Sequence, residues 1–204
     1  MIYHKNATYV IQKIVLLFPD YIRDNLNEII LNNFIKLCLD VNGICLIKIF
    51  IKTNTNLTIK TNIKIFICNN FIILSQSPFG NYAIQYLMEN WNNNDLIEFF
   101  EIIYQNIFIL SIHQYSSNVV EKGLEIMDDI YKEKMIQKLF YEGQFITLLK
   151  NKFGKFVINK AFNYMKPEIK KEFELYLINN MNNNNFSHKD KIIAKKFLIK
   201  IHND

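Results

Sequence analysis

Proline and glycine are scarce in this chain, 3 and 5 of 204 residues. An all-β design with many tight turns needs more of both, so the shortage points to helices. Cysteine is also scarce. Cys38, Cys45 and Cys68 are odd in number, widely spaced and contain no C-x-x-C pair, which argues against a disulfide framework and against a zinc site. His4, His113, His188 and His202 form no H-x-x-x-H or H-x-x-E-H arrangement and read as surface or helix-end residues. No carboxylate pair, nucleophile–base set or metal spacing emerges, so the expectation is a non-enzyme without cofactor. Long apolar runs are missing as well. "IKIFICNNFIIL" is interrupted by Lys and Asn and is too short to span a bilayer. "MIYHKNATYV" lacks the apolar core and cleavage site of a secretory signal. These absences predict a soluble intracellular protein; the expected compartment is the cytoplasm, with no membrane partner and no small-molecule substrate.

What is present suits a folded chain. Half the residues are apolar and 21% are charged, outside the disordered regime. The net charge of +5 is compatible with a polyanion partner without establishing one. The heavy use of Asn, Ile and Lys reads as A/T-biased codons more than chemistry.

The organising signal is a period. "QYSSNVVEKGLE" places Ser117, Asn118 and Glu121 at i, i+1 and i+4, and "SPFGNYAIQYLME" places Asn81, Tyr82 and Gln85 in the same slots. Thr8, Tyr9 and Gln12 fill them in "HKNATYVIQKIV", Ile44, Cys45 and Lys48 in "DVNGICLIKIFI", and Lys155, Phe156 and Asn159 in "NKFGKFVINKAF". The first slot falls at 8, 44, 81, 117 and 155, intervals of 36, 37, 36 and 38. Five copies of such a unit mean a solenoid. A small residue precedes each first slot: Ala7, Gly43, Gly80, Ser116 and Gly154. It fits either a tight helix entry or close approach by a ligand. Positions i+2 and i+3 are apolar in every copy, from Val10/Ile11 to Val157/Ile158. At about 100° per residue they lie opposite the three slots, which therefore share one exposed face.

The segment "NLTIKTNIKIFIC" alternates like a strand when read alone, yet the repeat register makes it helix. "ENWNNND" and "NNMNNNNFSH" read as connections. The closing "SHKDKIIAKKFLIKIHND" sets Ile193, Ala194, Phe197, Leu198 and Ile201 against Lys189, Lys191, Lys195, Lys196 and Lys200, the pattern of a terminal cap. The expected division is a repeat array over 1–185 and a capping helix over 186–204. Only seven residues precede Thr8, too few for the preceding helix of that unit. Val10, Ile11 and Ile14 then lack a covering neighbour. The expectation is a fragment of a longer array or an end covered by self-association.

A nucleobase offers an edge and a π-face. A hydrogen-bonding pair at i and i+4 suits the edge, and a flat side chain at i+1 suits the face. Guanine's edge has two adjacent donors, which the Glu121 carboxylate can accept, while Asn81 with Gln85 matches uracil's acceptor–donor–acceptor order. One base per helical repeat is an established mode of RNA recognition. Any single triplet is more often a solvated helix face; recurrence in register shifts the balance. Lys13, Lys122 and Lys160 at i+5 are ordinary solvated lysines or candidates for backbone phosphate contact.

At these residues the chain resembles the Pumilio-type (PUF) RNA-binding domain, over nearly its whole length. The consecutive NY-x-x-Q and SN-x-x-E motifs are specific to that family, and their order resembles its C-terminal repeats. The resemblance implies an all-α, right-handed crescent solenoid of about five three-helix repeats, with RNA antiparallel to the chain on the concave face. It implies G at Ser117/Asn118/Glu121, U at Asn81/Tyr82/Gln85, and U or A at Thr8/Tyr9/Gln12. Lys155/Phe156/Asn159 keeps the stacking residue but alters both edge residues, and Ile44/Cys45/Lys48 matches no base-reading triplet. The expected function is sequence-specific binding of single-stranded messenger RNA, at 3′ untranslated regions with a UGU-like core, in control of translation or decay. Regulatory proteins on the convex face are the implied partners. The alternative is a helical-repeat protein-interaction scaffold with a partly decayed RNA code, which Ile44/Cys45/Lys48 favours.

Overall fold

The computed structural model describes residues 4–19, 22–54, 56–142, 144–183 and 185–203, for Lys5, His202 and Asn203 the backbone alone. These residues form fifteen helices and no strand. α1 (Lys5–Leu17) comes first, followed by four units of a long, a short and a second long helix. The units are α2 (Asp24–Asn32), α3 (Phe34–Cys38) and α4 (Gly43–Thr53), then α5 (Leu57–Asn69), α6 (Phe71–Ser75) and α7 (Gly80–Asn90). They continue with α8 (Asn93–Gln105), α9 (Ile107–Ser111) and α10 (Ser116–Ile126), then α11 (Asp129–Tyr141), α12 (Phe145–Lys150) and α13 (Gly154–Asn163). α14 (Pro167–Asn182) and α15 (His188–Asn203) close the chain.

The repeat stacks on itself. α1, α4, α7, α10 and α13 each pack on the next, α2, α5, α8 and α11 form a parallel row, and each short helix packs on the helix after it. The solenoid read from the period is the architecture. The segment that alternates like a strand is α5, started by Asn56, whose Oδ1 accepts from the Thr58 and Ile59 amides at 2.9 and 3.3 Å. Ile59, Ile63 and Ile67 are its buried residues. Beneath the alternation, their i, i+4, i+8 spacing was a helical stripe. No described helix is long and apolar enough to cross a membrane.

The connections are shorter than the Asn-rich stretches suggest. α7 runs through Asn90 and α8 begins at Asn93, and α14 takes in Asn179, Asn180 and Asn182. Asparagine also has a recurring task that a codon-bias reading hides. At the corners between long and short helices, Asn33, Asn70 and Asn106 donate through Nδ2 to the carbonyls of Ile29, Phe66 and Ile102 at 2.8–2.9 Å. At Asn33 and Asn70 the residue's own backbone amide turns to the next carbonyl, Ile30 or Ile67, so the side chain supplies the capping donor for Ile29 and Phe66, while Ile102 accepts from both the amide and the side chain of Asn106.

From α4 onwards the small residue before the first slot meets the protein's own short helix. A Cβ at Gly43, Gly80 or Gly154 would lie 2.5, 2.7 or 2.7 Å from the carbonyl oxygens of Leu37, Leu74 and Leu148. At the start of α10 the position is Ser116, and its hydroxyl donates to the Leu110 carbonyl at 2.7 Å. Close approach of short and long helices therefore explains these positions without a ligand. Gly80→Ala is expected to cost about 1–3 kcal/mol, because backbone must move to admit the methyl. Gly80→Ser should cost less, since its hydroxyl can recover the bond that Ser116 makes. Urea denaturation checks the order; equal stability of Gly and Ala at this site would show that the interface has slack.

Candidate functional site

The row α1, α4, α7, α10, α13 presents the five triplets in sequence. A repeated turn sets each entry from α4 onwards. Asp40 Oδ1 accepts from the Asn42 and Gly43 amides at 2.9 and 2.7 Å, and Ser77 Oγ from Phe79 and Gly80 at 3.2 and 3.0 Å. His113 Nδ1 accepts from the Tyr115 amide at 3.3 Å, and Asn151 Oδ1 from Phe153 and Gly154 at 2.8 and 2.9 Å. Four residue types thus satisfy the same otherwise unpaired helix-start amides.

The first slots are not on the open face that an isolated helix suggests. Thr8, Ile44, Asn81 and Ser117 are only 1, 6, 1 and 4% exposed, while Lys155 is exposed. The physical reason is the neighbouring helix: side-by-side packing covers the edge on which the first slot lies. The second slots do face outward, with Tyr9, Tyr82 and Phe156 at 60, 49 and 53% and Asn118 and Cys45 also exposed. Gln12, Lys48, Gln85, Glu121 and Asn159 are half-buried between them. Each copy therefore offers one open flat or small side chain beside a half-buried polar one. Buried apolar pairs lie behind: Leu46/Ile47, Ala83/Ile84, Val119/Val120 and Val157/Ile158. In α1 the pattern loosens, with Val10 57% exposed and Ile11 and Ile14 partly buried.

Hydrogen bonding distinguishes the copies. Asn81 Nδ2 donates to the Ser77 carbonyl and Gln85 Nε2 donates to Asn81 Oδ1, both at 2.8 Å. That linked pair leaves Gln85 Oε1 and the second Nε2 proton, one acceptor and one donor, for a ligand. Thr8 Oγ1 donates to the His4 carbonyl at 3.0 Å. With Tyr9, Gln12 and Cys45, Thr8 lines a recess of about 490 Å³. Glu121 is an acceptor only when ionised; burial pushes its pKa up, and the nearby Lys160 opposes this. An acid with a raised folded pKa binds its proton more tightly folded than unfolded. Its neutralisation therefore favours the fold below the unfolded pKa, and that contribution is lost as pH rises through the folded value.

The lysines at i+5 are engaged within the protein. Lys122 pairs with Glu89 at 2.9 Å and Glu125 at 3.7 Å, and Lys160 with Glu125 at 3.3 Å. The bond from Glu89, then burial acting the other way, leaves the Lys122 pKa raised. The Lys122–Glu89 and Lys160–Glu125 pairs link consecutive copies, but such partly exposed pairs contribute little individually. Lys13 lies 5.3 Å from the Tyr9 ring centroid. In the second copy Lys48 lies 5.1 Å from the ring of Tyr82, the stacking position of the third. In the fifth, Asn159 Oδ1 accepts from Lys200 Nζ at 3.0 Å, a contact from α15 that the spacing of the repeats does not reveal.

The model of the Pumilio-family RNA binding repeat matches residues 1–26, 70–103 and 106–140. Those segments hold the Thr8, Asn81 and Ser117 triplets; the two divergent triplets lie outside them. Pumilio homolog 12 of Arabidopsis thaliana is 28% identical over 172 residues, covering 83% of this chain and 28% of that protein. A Pumilio domain-containing protein of Schizosaccharomyces pombe is 33% identical over 104 residues, 51% of this chain and 15% of that protein. The chain thus spans under a third of either relative. Among solved structures, PUF-8 in complex with PBE-RNA superposes with a TM-score of 0.80 at 19% identity, over 98% of this chain and 60% of that one. The Puf3 RNA-binding domain bound to a Cox17 RNA 3′ UTR recognition sequence gives 0.73 at 20% identity, over 97% and 60%. The right-handed crescent solenoid is the shared fold.

Proposed function

We propose that this chain, a Pumilio-type (PUF) repeat protein, binds single-stranded RNA along the α1–α4–α7–α10–α13 row, one base per copy. The observation that carries the reading is the contrast between consecutive copies: a linked Asn81–Gln85 pair with one donor and one acceptor, then a half-buried Glu121 that only accepts. Open Tyr82 and Asn118 flank them. The first arrangement fits uracil and the second guanine. In the antiparallel sense of the resemblance, guanine then precedes uracil from 5′ to 3′. The repeat array is taken as 1–185 and the segment from 186 as its cap. Messenger RNA is the proposed target, with post-transcriptional control as the role, cytoplasm as the place, convex-face proteins as partners and no catalysis.

Titration with short RNAs that carry GU or its G→A change at the matching position tests the reading. Discrimination of roughly tenfold is expected, the worth of one good base contact. It should also depend on pH. Guanine needs the Glu121 carboxylate, so preference for G should fade as acidification approaches and passes the carboxyl's raised folded pKa. Fading should begin at a higher pH than an unperturbed glutamate would give. Binding indifferent to the G→A change throughout would favour the protein-interaction scaffold, to which the apolar Ile44 in its buried first slot already belongs.

A further inference from the structure

The fifth copy differs from the others because a residue from outside the repeat completes it. Lys200 of α15 reaches 41 residues back and donates to Asn159 Oδ1 at 3.0 Å. The contact is built rather than incidental in its surroundings. The ammonium lies 4.9 Å from the ring centroid of Phe162 and 5.9 Å from that of Phe197, and both rings are buried. Leu149, Ile193 and Lys196 line the same recess.

The chemistry of the contact fixes the polarity of the site. An ammonium has protons to give and no lone pair, so only the oxygen of the Asn159 amide can face it. The amide orientation is thereby set, and the Asn159 N–H donors remain for a ligand; no described residue accepts from them. Lys155, in the exposed first slot, adds only donors, and Phe156 offers an open ring for stacking. The three C-terminal copies thus differ in kind: mixed at Gln85, acceptor at Glu121, donor at Asn159.

Resting on the RNA-binding reading above, we propose that Lys200 is a specificity-determining residue and that the fifth copy selects cytosine. Among the four Watson–Crick edges, only cytosine's has two adjacent acceptors, N3 and O2. Uracil interposes its N3–H between two carbonyls and would set a donor against the Asn159 donors. Guanine presents two N–H donors in a row, and adenine a single acceptor beside its amine. The recognised order from 5′ to 3′ is then C-G-U, the cytosine lying on the side of α15.

Four RNAs identical except for C, U, A or G immediately 5′ of the GU step test this by fluorescence anisotropy with the full chain. The expected result is tightest binding to the C form, by about tenfold over U. Lys200→Met keeps the stem over the two rings but removes the donor, leaving Asn159 free to turn its oxygen outward. Its preference for C over U should disappear, while Lys200→Arg, which still donates to Asn159, should retain it. If the parent ranks U with or above C while still requiring G at the next base, the inference about Lys200 is wrong and the general reading stands. If Lys200→Met keeps the C preference and its melting curve matches the parent's, Lys200 has no part in selection. Loss of the G requirement in the parent would overturn the RNA-binding reading and this inference with it.

Discussion

Replacing Ser117 by asparagine together with Glu121 by glutamine is expected to turn the fourth copy from guanine to uracil. The template lies one copy earlier in the same chain. Asn81 is tied to the Ser77 carbonyl and receives Gln85, each at 2.8 Å. In the fourth copy the His113 carbonyl stands where Ser77 does, accepting the Ser117 amide at 3.1 Å as Ser77 accepts that of Asn81 at 3.4 Å. The introduced asparagine can therefore be oriented by the same backbone group. The introduced glutamine then offers one acceptor and one donor, matching uracil's N3–H and a flanking carbonyl. The parent carboxylate instead meets uracil's carbonyls with like polarity and no proton to share. Each half of the switch is worth on the order of 1–3 kcal/mol, so the ratio of G to U affinity should change by roughly a hundredfold between parent and variant. Because Ser117 is nearly buried against the neighbouring helix, a cost of about 1 kcal/mol in stability should accompany the change. Paired titrations with RNAs carrying G or U at that base measure the switch. A variant that loses affinity for both without changing their order would show that these two residues do not read a base.

The fold was largely legible because its information is redundant. Five copies of one spacing outvoted the strand-like alternation of Ile63, Ile65 and Ile67, and α5 is a helix. The site was legible only in part, for three separate physical reasons. A helical wheel sees one helix, whereas the burial of Thr8, Asn81 and Ser117 is imposed by the helix alongside. The entry turn is held by Asp40, Ser77, His113 and Asn151, and four different residue types in one role leave no motif. Their constant offset, three residues before each small residue, was the available signal. Lys200 escaped because it belongs to a lysine-rich helix whose natural reading is a solvated face. Nothing in the local pattern says that one of those lysines reaches Asn159. A lysine can lay its stem over apolar rings while keeping its ammonium at a polar edge, so a charged residue on a cap can be part of the site it borders.

Phe173→Ala is expected to be the most damaging single change near that border, and its damage should be confined. Phe173 is fully buried, with ring centroids 4.6 Å from Phe140, 4.8 Å from Phe145 and 6.0 Å from Phe197. It therefore joins α11, α12, α14 and α15 through one side chain. Truncating such a phenylalanine costs about 3–5 kcal/mol, through lost burial and the cavity left behind. In a solenoid each unit leans only on its neighbours, so the loss should not spread evenly. Amide hydrogen exchange should show α12, α14 and α15 opening far more readily, while α4 to α8 keep nearly their original protection. The functional consequence follows from the same geometry. Phe197 precedes Lys200 by less than one turn, and its ring lies 5.0 Å from both Phe145 and Phe162. Loosening α15 should therefore release Lys200 from Asn159 and erase discrimination at the fifth copy. Discrimination at Glu121, on α10, should survive. Equal loss of protection in every helix would instead mean that the array unfolds as one block, and the separation of cap from code helices argued from these contacts would fail.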